Sequence, residues 1–279
     1  MKTLGYYNGK ISELEEMQVP MLDRACYFGD GIYDTALACN KKIFAIDVHL
    51  DRFFDNAKLL DFNMPITKEE MKDLLMDLVT KVEDNDLFVY WQASRGTALR
   101  SHIYPEDMIA NIWVMIWPKK LQDKNKTLRL VSEEDTPKRH NHIKTINLLP
   151  AVQYATNAYR SGYDESVLYR NNKVTEGSSS NVSILKDGIF YTAPCDENIL
   201  PGIIRKYLLE ACHYHKIPVV EEAFSLEDLK NADEIIISSS TRLCLRAHEL
   251  DANPVGGKDI ETFKKLQDYI FTKFIEACK

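Results

Sequence analysis

Apolar residues recur at helical spacing in four segments of the chain. From Asp47 to Leu60 the apolar positions fall on one face of a helix, and Asp47 is placed to cap its start. The sequence TKEE at 67–70 is a capping box, and the apolar positions after it again share one face. Segments 201–216 and 259–278 follow the same spacing. The pattern therefore predicts four amphipathic helices.

Shorter apolar runs predict strands. LFVYWQA at Leu87–Ala93 and NIWVMIW at Asn111–Trp117 have the β-branched and aromatic content of buried strands. Two pairs of strand-like runs are separated by two turn-forming residues, Asn171-Asn172 and Asp187-Gly188, which is typical of antiparallel hairpins. DEIIISSST, at 233–241, predicts a further strand.

A change in composition predicts where the chain divides. The segment Pro118–Thr127 carries four lysines and interrupts the hydrophobic pattern. We therefore expect a smaller N-terminal α/β domain over 1–120 and a larger C-terminal α/β domain over 121–279. The predicted fold class is α+β, with no internal repeat.

Charge and length exclude several classes of protein. The chain has 279 residues, of which 45% are hydrophobic, and 35 basic against 42 acidic residues give a net charge of −7. That balance argues against a nucleic-acid-binding surface. The N-terminus lacks a signal pattern, and no apolar run approaches the length of about 18 residues that a membrane span needs. We expect a soluble, cytoplasmic protein.

Common motifs of nucleotide, zinc-protease and hydrolase sites are absent from the sequence. Neither GxGxxG, GxxxxGK[ST], HExxH nor GxSxG occurs. Two His-x-His pairs are present, at 140/142 and 213/215, but the first has no ligand partner nearby in sequence and the second falls in a predicted helix, where its rings point apart. We expect no metal site.

Three charged residues punctuate otherwise structural segments. Lys144 lies between a charged and an apolar stretch; apolar walls would make its amine a better nucleophile, although a surface lysine at a strand end has the same local pattern. Glu176 ends a strand and opens a Gly-Ser-Ser-Ser-Asn loop, which is either a polar turn or a donor-rich site. Arg52 falls off the apolar stripe of its helix, so local sequence predicts a solvated side chain.

The helix that follows Pro201-Gly202 begins with an electrostatic conflict. Its free N–H groups at Ile203 and Ile204 form an anion cradle, and Arg205 and Lys206 in the first turn oppose the helix dipole. A bound anion would relieve this conflict, as would ordinary exposure to solvent.

Seven polar segments in a fixed order carry a resemblance to a known family. They are FGDGIYD, HLDR, RGTALRSH, IKTINLL, VTEGSSSN, LPGI and SSST. Over nearly the whole chain the sequence resembles the fold-type IV pyridoxal-phosphate aminotransferases, and within them most closely the D-amino acid (D-alanine) aminotransferases. The resemblance implies two domains with a cofactor cleft between them.

The resemblance also implies roles for single residues. Lys144, placed in the C-terminal domain, would form the Schiff base with pyridoxal 5′-phosphate and move the substrate Cα proton. Glu176 would pair with the pyridine nitrogen. The residues implied to hold the rest of the cofactor are Arg52, the Ile203 and Ile204 amides and the Thr241 hydroxyl for the phosphate, Leu200 against the ring, and the loop Ser178, Ser179, Ser180 and Asn181, with Ser180 foremost.

By the same resemblance, Tyr33, Arg100 and His102 hold the substrate α-carboxylate, which the planar fork of an arginine matches. The arginine-bearing loop would come from the neighbouring subunit, which implies a homodimer. We expect ping-pong transamination between a D-amino acid, D-alanine or D-glutamate, and 2-oxoglutarate or pyruvate. A branched-chain L-amino acid aminotransferase and an aminodeoxychorismate lyase share the fold, but Arg100-x-His102 favours the D-specific enzyme. A non-catalytic ligand-binding protein on the scaffold is a further alternative.

Three positions depart from the family pattern. Asp34 stands where glutamate is usual, Ile204 stands where threonine is common, and TPKRHNHIK at 136–144 replaces a segment with tryptophan and arginine. The third departure is expected to reshape the side-chain pocket.

Overall fold

The predicted strands lie in two separate sheets. A computed structural model describes residues 1–135 and 140–279; the first four residues of TPKRHNHIK lie outside this part of the chain. Contacts divide the chain into one unit of Met1–Leu121, Ile143–Asn147 and Phe274–Lys279, and a second of Gln122–His142 and Leu148–Lys273. This division corrects the expected placement of Lys144 in a C-terminal domain, because its segment packs with the first unit.

The first unit is built on a six-stranded sheet in the order β2-β1-β6-β5-β3-β4. Its elements are β1 Leu4–Tyr7, β2 Lys10–Ser12, α1 Arg24–Phe28, β3 Gly31–Cys39, β4 Lys42–Ile43, α2 Ile46–Leu59, α3 Lys68–Lys81, β5 Leu87–Ser94 and β6 Asn111–Pro118. Both strands predicted from apolar runs, β5 and β6, are confirmed and pair antiparallel along their full length. The core of the unit forms between this sheet and the apolar faces of α2 and α3.

The helix starts in this unit show both a correct and an incorrect prediction. Thr67 caps α3 in a capping box with Glu70, as predicted. Helix α2 instead begins at Ile46 behind Ala45, whose backbone is left-handed at φ 53°, so Asp47 lies in the first turn rather than at the cap. Its carboxylate there binds Lys72 of α3 at 2.7 Å.

The second unit contains a nine-stranded mixed sheet in the order β12-β11-β10-β13-β14-β7-β8-β9, with β15 paired to β14. Its elements are β7 Leu128–Glu134, α4 Leu149–Arg160, β8 Glu165–Arg170, β9 Lys173–Gly177, β10 Asn181–Lys186, β11 Ile189–Thr192, α5 Ile203–Tyr214, β12 Val219–Val220, α6 Leu226–Asn231, β13 Glu234–Ser239, β14 Leu243–Leu250, β15 Asn253–Pro254 and α7 Ile260–Ala277, whose last residues group with the first unit.

Both predicted hairpins are present in this sheet. β8 and β9 turn at Asn171 and Asn172, with φ angles of 50° and 61°, and β10 and β11 turn at Asp187 and Gly188, with 53° and 74°. Two successive positive φ angles match the right-handed twist of the strands, and asparagine, aspartate and glycine adopt them most readily. These turns set the register of the strands on either side.

Two kinds of feature are absent from the described residues. Within residues 1–135 and 140–279, no helix is long and apolar enough to cross a membrane. Within those ranges there is also no group of three or more His, Cys, Asp and Glu side chains that could hold a metal ion.

Candidate active site

Lys144 is carried by a short extended segment that pairs with the start of β3. The N–H of Tyr33 donates to the Lys144 carbonyl at 2.9 Å, and the N–H of Ile146 donates to the Gly31 carbonyl at 3.0 Å. A Cβ on Gly31 would lie 2.8 Å from both the Ala93 carbonyl and the Ile146 side chain. Glycine at this position therefore allows the segment to approach the sheet.

Pairing with β3 places the Lys144 side chain over an aromatic surface. Its Nζ lies 4.5 Å from the centre of the Tyr33 ring, and that ring stacks on Tyr90 with centroids 5.4 Å apart. The Tyr90 hydroxyl donates to Gln92 at 2.6 Å, and burial raises the pKa of Tyr90 far above its usual value. The Lys144 amine is thus held against one face of the Tyr33–Tyr90 stack.

Arg52 is nearly buried and binds Asp34 through two nitrogens. Side chains alternate along β3, so Asp34 faces the core below α2 while Tyr33 faces the other way. Arg52 Nε and Nη2 donate to the two Asp34 oxygens at 2.9 and 2.7 Å. The Arg52 side chain is only 11% exposed. The prediction of a solvated Arg52 is therefore wrong, because its partner lies on a strand distant in sequence.

His49 completes this buried network. Its Nδ1 lies 2.8 Å from Asp34 Oδ1. Burial alone would raise the pKa of Asp34, but Arg52 and His49 hold that pKa well below its usual range. Burial lowers the pKa of His49 despite the neighbouring carboxylate. The ring is therefore neutral at pH 7 and Nδ1 carries the proton, since an ionised carboxylate only accepts.

The loop with Arg100 and His102 is organised around Phe28. The Arg100 guanidinium lies 4.9 Å from the centre of the Phe28 ring, and the His102 ring lies 5.1 Å from it. Between these two residues the backbone is held by Arg24, whose Nη1 donates to the Ser101 carbonyl at 2.7 Å. Both Arg100 and His102 are exposed. The Arg100 guanidinium and the His102 ring thus both contact the Phe28 side chain and are both open to solvent.

In the second unit, Glu176 is tied to the segment that leads into α5. Glu176 Oε2 accepts from the Leu200 N–H at 2.8 Å, and the Asn181 amide donates to the Leu200 carbonyl at 2.9 Å. Helix α5 starts at Ile203 behind Gly202, and within this described segment no side chain caps it. A Cβ on Gly202 would lie 1.8 Å from Asn181 Oδ1. The carboxylate and the open helix start are therefore held by one short stretch of chain.

One expectation about the polar residues of the second unit changes with the structure. Arg205 is buried and donates to Thr192, the Ala193 carbonyl and Glu221, the last at 2.7 Å. Its charge in the first turn of α5 is therefore compensated by protein groups, without a bound anion. The Thr241 hydroxyl lies 3.4 Å from that of Ser239 at the end of β13.

Ser180 also has a protein partner. Its hydroxyl donates to the buried carboxylate of Glu165 at 3.0 Å, as do those of Ser178 and Ser179. The hydroxyl protons of the serine loop are therefore directed into the protein.

Each unit offers groups of the kind that a phosphorylated pyridine aldehyde requires. An aldehyde requires an amine, such as that of Lys144 in the first unit, and a protonated ring nitrogen requires a carboxylate, such as that of Glu176 in the second. A phosphate group requires N–H donors such as an open helix start, and α5 begins behind Gly202 without a side-chain cap. The residues of each unit are chemically fitted to pyridoxal phosphate.

Sequence reasoning missed the roles of several residues in these networks. Asp34 was noted only as a departure from the family pattern, and His49 lay inside the motif HLDR; neither position carried a local signal that Asp34, His49 and Arg52 form one network. Phe28 also lies inside a motif, but an aromatic residue in a sequence does not by itself indicate which side chains pack against it. Glu165 and Arg242, which bind each other at 2.7 Å, carried no local signal because they are distant in sequence.

Comparison with known proteins identifies the family. The model of amino-transferase class IV matches residues 31–250. The chain is 34% identical to a D-alanine aminotransferase of Listeria monocytogenes over 97% of this chain and 96% of the relative, and 33% identical to one of Staphylococcus haemolyticus over 98% of each. A branched-chain amino acid aminotransferase structure from Escherichia coli, at 20% identity, superposes with a TM-score of 0.90 over 100% of this chain and 96% of that one.

These matches confirm the α+β, fold-type IV architecture and the aminotransferase prediction. The chain belongs to the class IV amino-transferase family of pyridoxal-phosphate enzymes.

Proposed function

We propose that the protein is a D-amino acid:2-oxo acid transaminase that works by a ping-pong cycle. D-alanine or D-glutamate is the proposed donor, and 2-oxoglutarate or pyruvate the acceptor. The observation that carries this proposal is the placement of Arg100 and His102 against Phe28, which offers a guanidinium and an imidazole to one carboxylate. The relatives named D-alanine aminotransferase support the same assignment.

Lys144 is the proposed catalytic residue. Bound pyridoxal phosphate supplies the electron sink for the reaction. The Lys144 amine, beside the Tyr33 ring, would hold the cofactor covalently when no substrate is bound. Once displaced by a substrate amine, the same nitrogen would move a proton between the substrate Cα and the C4′ carbon of the cofactor.

The other proposed roles follow from charge. Glu176, oriented by the Leu200 N–H, keeps a proton on the pyridine nitrogen. Arg52, held in place by Asp34, and the amides of Ile203 and Ile204 bind the phosphate, together with the Thr241 hydroxyl. Leu200 packs against the ring, and Ser180 belongs to the supporting loop. Tyr33 joins Arg100 and His102 in holding the substrate carboxylate.

We also propose a homodimer in which the Arg100 loop serves the partner subunit. Large apolar side chains on and beside this loop are open to solvent: Met21 is 86% exposed, Leu99 78% and Ile103 84%. Exposed apolar residues grouped beside polar groups of a proposed site are typical of a surface that a second copy covers.

The proposed function predicts enantiomer-specific turnover. Holoenzyme given D-alanine and 2-oxoglutarate should form pyruvate, with parallel double-reciprocal lines in the two substrates, because the donor product leaves before the acceptor binds. L-alanine and L-leucine with the same acceptor are the matched controls and should give at most a few per cent of that rate. Preferential turnover of L-leucine would instead support a branched-chain enzyme, and pyruvate released from aminodeoxychorismate without an acceptor would support a lyase.

A further inference from the structure

Glu165 is a buried carboxylate at the first position of β8, and it is only 2% exposed. One oxygen accepts from the Ser178 hydroxyl and from the Ser178 N–H, the latter at 3.2 Å. The other accepts from Ser180 at 3.0 Å and Ser179 at 3.3 Å. Three successive hydroxyls of the serine loop thus converge on one acid. A buried carboxylate is retained only where such donors and a countercharge satisfy it.

The countercharge is Arg242, which connects a second turn to the same carboxylate. Arg242 Nη1 donates to Glu165 at 2.7 Å, and its Nη2 donates to the Asp164 carbonyl at 2.9 Å. Arg242 directly follows Thr241 in the turn between β13 and β14. The next residue, Leu243, is fully buried with φ 54°, a backbone conformation that a leucine rarely adopts without support from its surroundings.

The serine loop, residues 177–181, directly follows Glu176 and is fixed by Glu165. The Gly177 N–H donates to the Ser180 carbonyl at 2.7 Å, and the Ser178 N–H also approaches the Ser166 carbonyl at 3.2 Å. A Cβ on Gly177 would lie 2.3 Å from Ser180 Oγ, so the turn closes tightly. Movement of the serine loop would therefore move the backbone that carries Glu176.

We propose that Glu165, held by Arg242, is a positioning residue of the cofactor site. Its contacts fix the turn after Glu176 and the turn of Thr241 relative to each other. It acts through these two turns and does not itself contact the cofactor. Ser178, Ser179 and Ser180 then serve this arrangement by donating their hydroxyl protons to Glu165. This inference rests on the proposed roles of Glu176 and Thr241 toward the cofactor.

The inference is tested by Glu165→Gln, which keeps the volume but places an amide against the Arg242 guanidinium. Binding of pyridoxal phosphate to the apoprotein should weaken about tenfold or more. The Arg242 charge loses its carboxylate partner, and both turns lose the group that fixes them. The pH at which the visible band of the bound cofactor titrates should also shift, since the Glu176 carboxylate is displaced from the ring nitrogen.

The matched control is Glu249→Gln, which breaks another Glu–Arg pair of 2.7 Å, with Arg129, on the same sheet. It should leave cofactor affinity within about twofold of wild type. Equal cofactor affinity and an unshifted visible titration in Glu165→Gln would overturn the proposal, as would an equal effect in the control.

A second variant keeps the inference testable if Glu165→Gln does not fold. The double variant Ser178→Ala with Ser180→Ala leaves the ion pair of Glu165 and Arg242 intact. It removes two of the hydrogen bonds that join Glu165 to the serine loop. It should reproduce the shifted titration, whereas an unshifted titration would overturn the proposal. These measurements use cofactor and protein only, so they give the same answer whether or not the enzyme is D-specific.

Discussion

Lys144→Ala should lower kcat for transamination by at least about a thousandfold. The amine is both the covalent anchor of the cofactor and the proposed base at the substrate Cα, and loss of a positioned base alone costs about 10² to 10⁴-fold. The variant should still fold, because the segment pairs with β3 through the backbone of Lys144 and Ile146 and alanine preserves those bonds.

Borohydride reduction followed by peptide mapping checks the covalent role. Wild-type holoenzyme should retain the reduced cofactor on the peptide that contains Lys144, and Lys144→Ala should retain none. Lys264→Ala, at an exposed position on α7, is the matched control and should label and turn over like wild type. Turnover of Lys144→Ala within about tenfold of wild type, or labelling at another lysine, would refute the assignment.

Asp34→Asn should lower the free energy of unfolding by about 3 kcal/mol, because removing one member of a buried ion pair leaves the other charge uncompensated. Arg52 is 11% exposed and Asp34 fully buried, so solvent screens the pair little. Cofactor affinity should fall as well, since Arg52 loses the carboxylate that fixes its guanidinium. Urea unfolding at pH 7.5 measures the first effect and titration of apoprotein with pyridoxal phosphate the second.

The pH dependence of this difference has a defined sign. The pKa of Asp34 is depressed in the folded state, so its contribution is fully present above the unfolded pKa of about 4 and is lost as the pH falls below it. The gap between wild type and Asp34→Asn should therefore narrow below about pH 4. Asp47→Asn, which removes an exposed pair with Lys72, is the control and should cost below about 1 kcal/mol. If Asp34→Asn lost no more free energy of unfolding than Asp47→Asn, the proposed network would be contradicted.

Elements whose signal lies within a few residues could be predicted from sequence. The capping box at Thr67 and the hairpin turns at Asn171 and Asp187 appear where the pattern placed them, because capping and turn geometry depend on local side chains and φ angles. The start of α2 could not be predicted this way, since the left-handed Ala45 carries no turn signature.

Pairings between distant elements were not accessible to the same reasoning. Arg52 looked solvated because helical periodicity describes one helix, whereas Asp34 approaches it from a strand 18 residues earlier. Lys144 fell on the far side of a domain boundary placed by composition, yet its segment hydrogen-bonds to β3. The motifs singled out the candidate residues, whereas the partners that hold those residues became visible only in three dimensions.

A single-turnover reaction with D-alanine tests the central claim most directly. Holoenzyme mixed with D-alanine and no oxo-acid acceptor should release one pyruvate per bound cofactor and lose its visible absorption band, because the amino group stays on the cofactor until an acceptor arrives. L-alanine, mixed under the same conditions, should leave the band unchanged and release no pyruvate over the same time. Equal or faster reaction with the L-enantiomer would contradict the proposed D-amino acid transaminase.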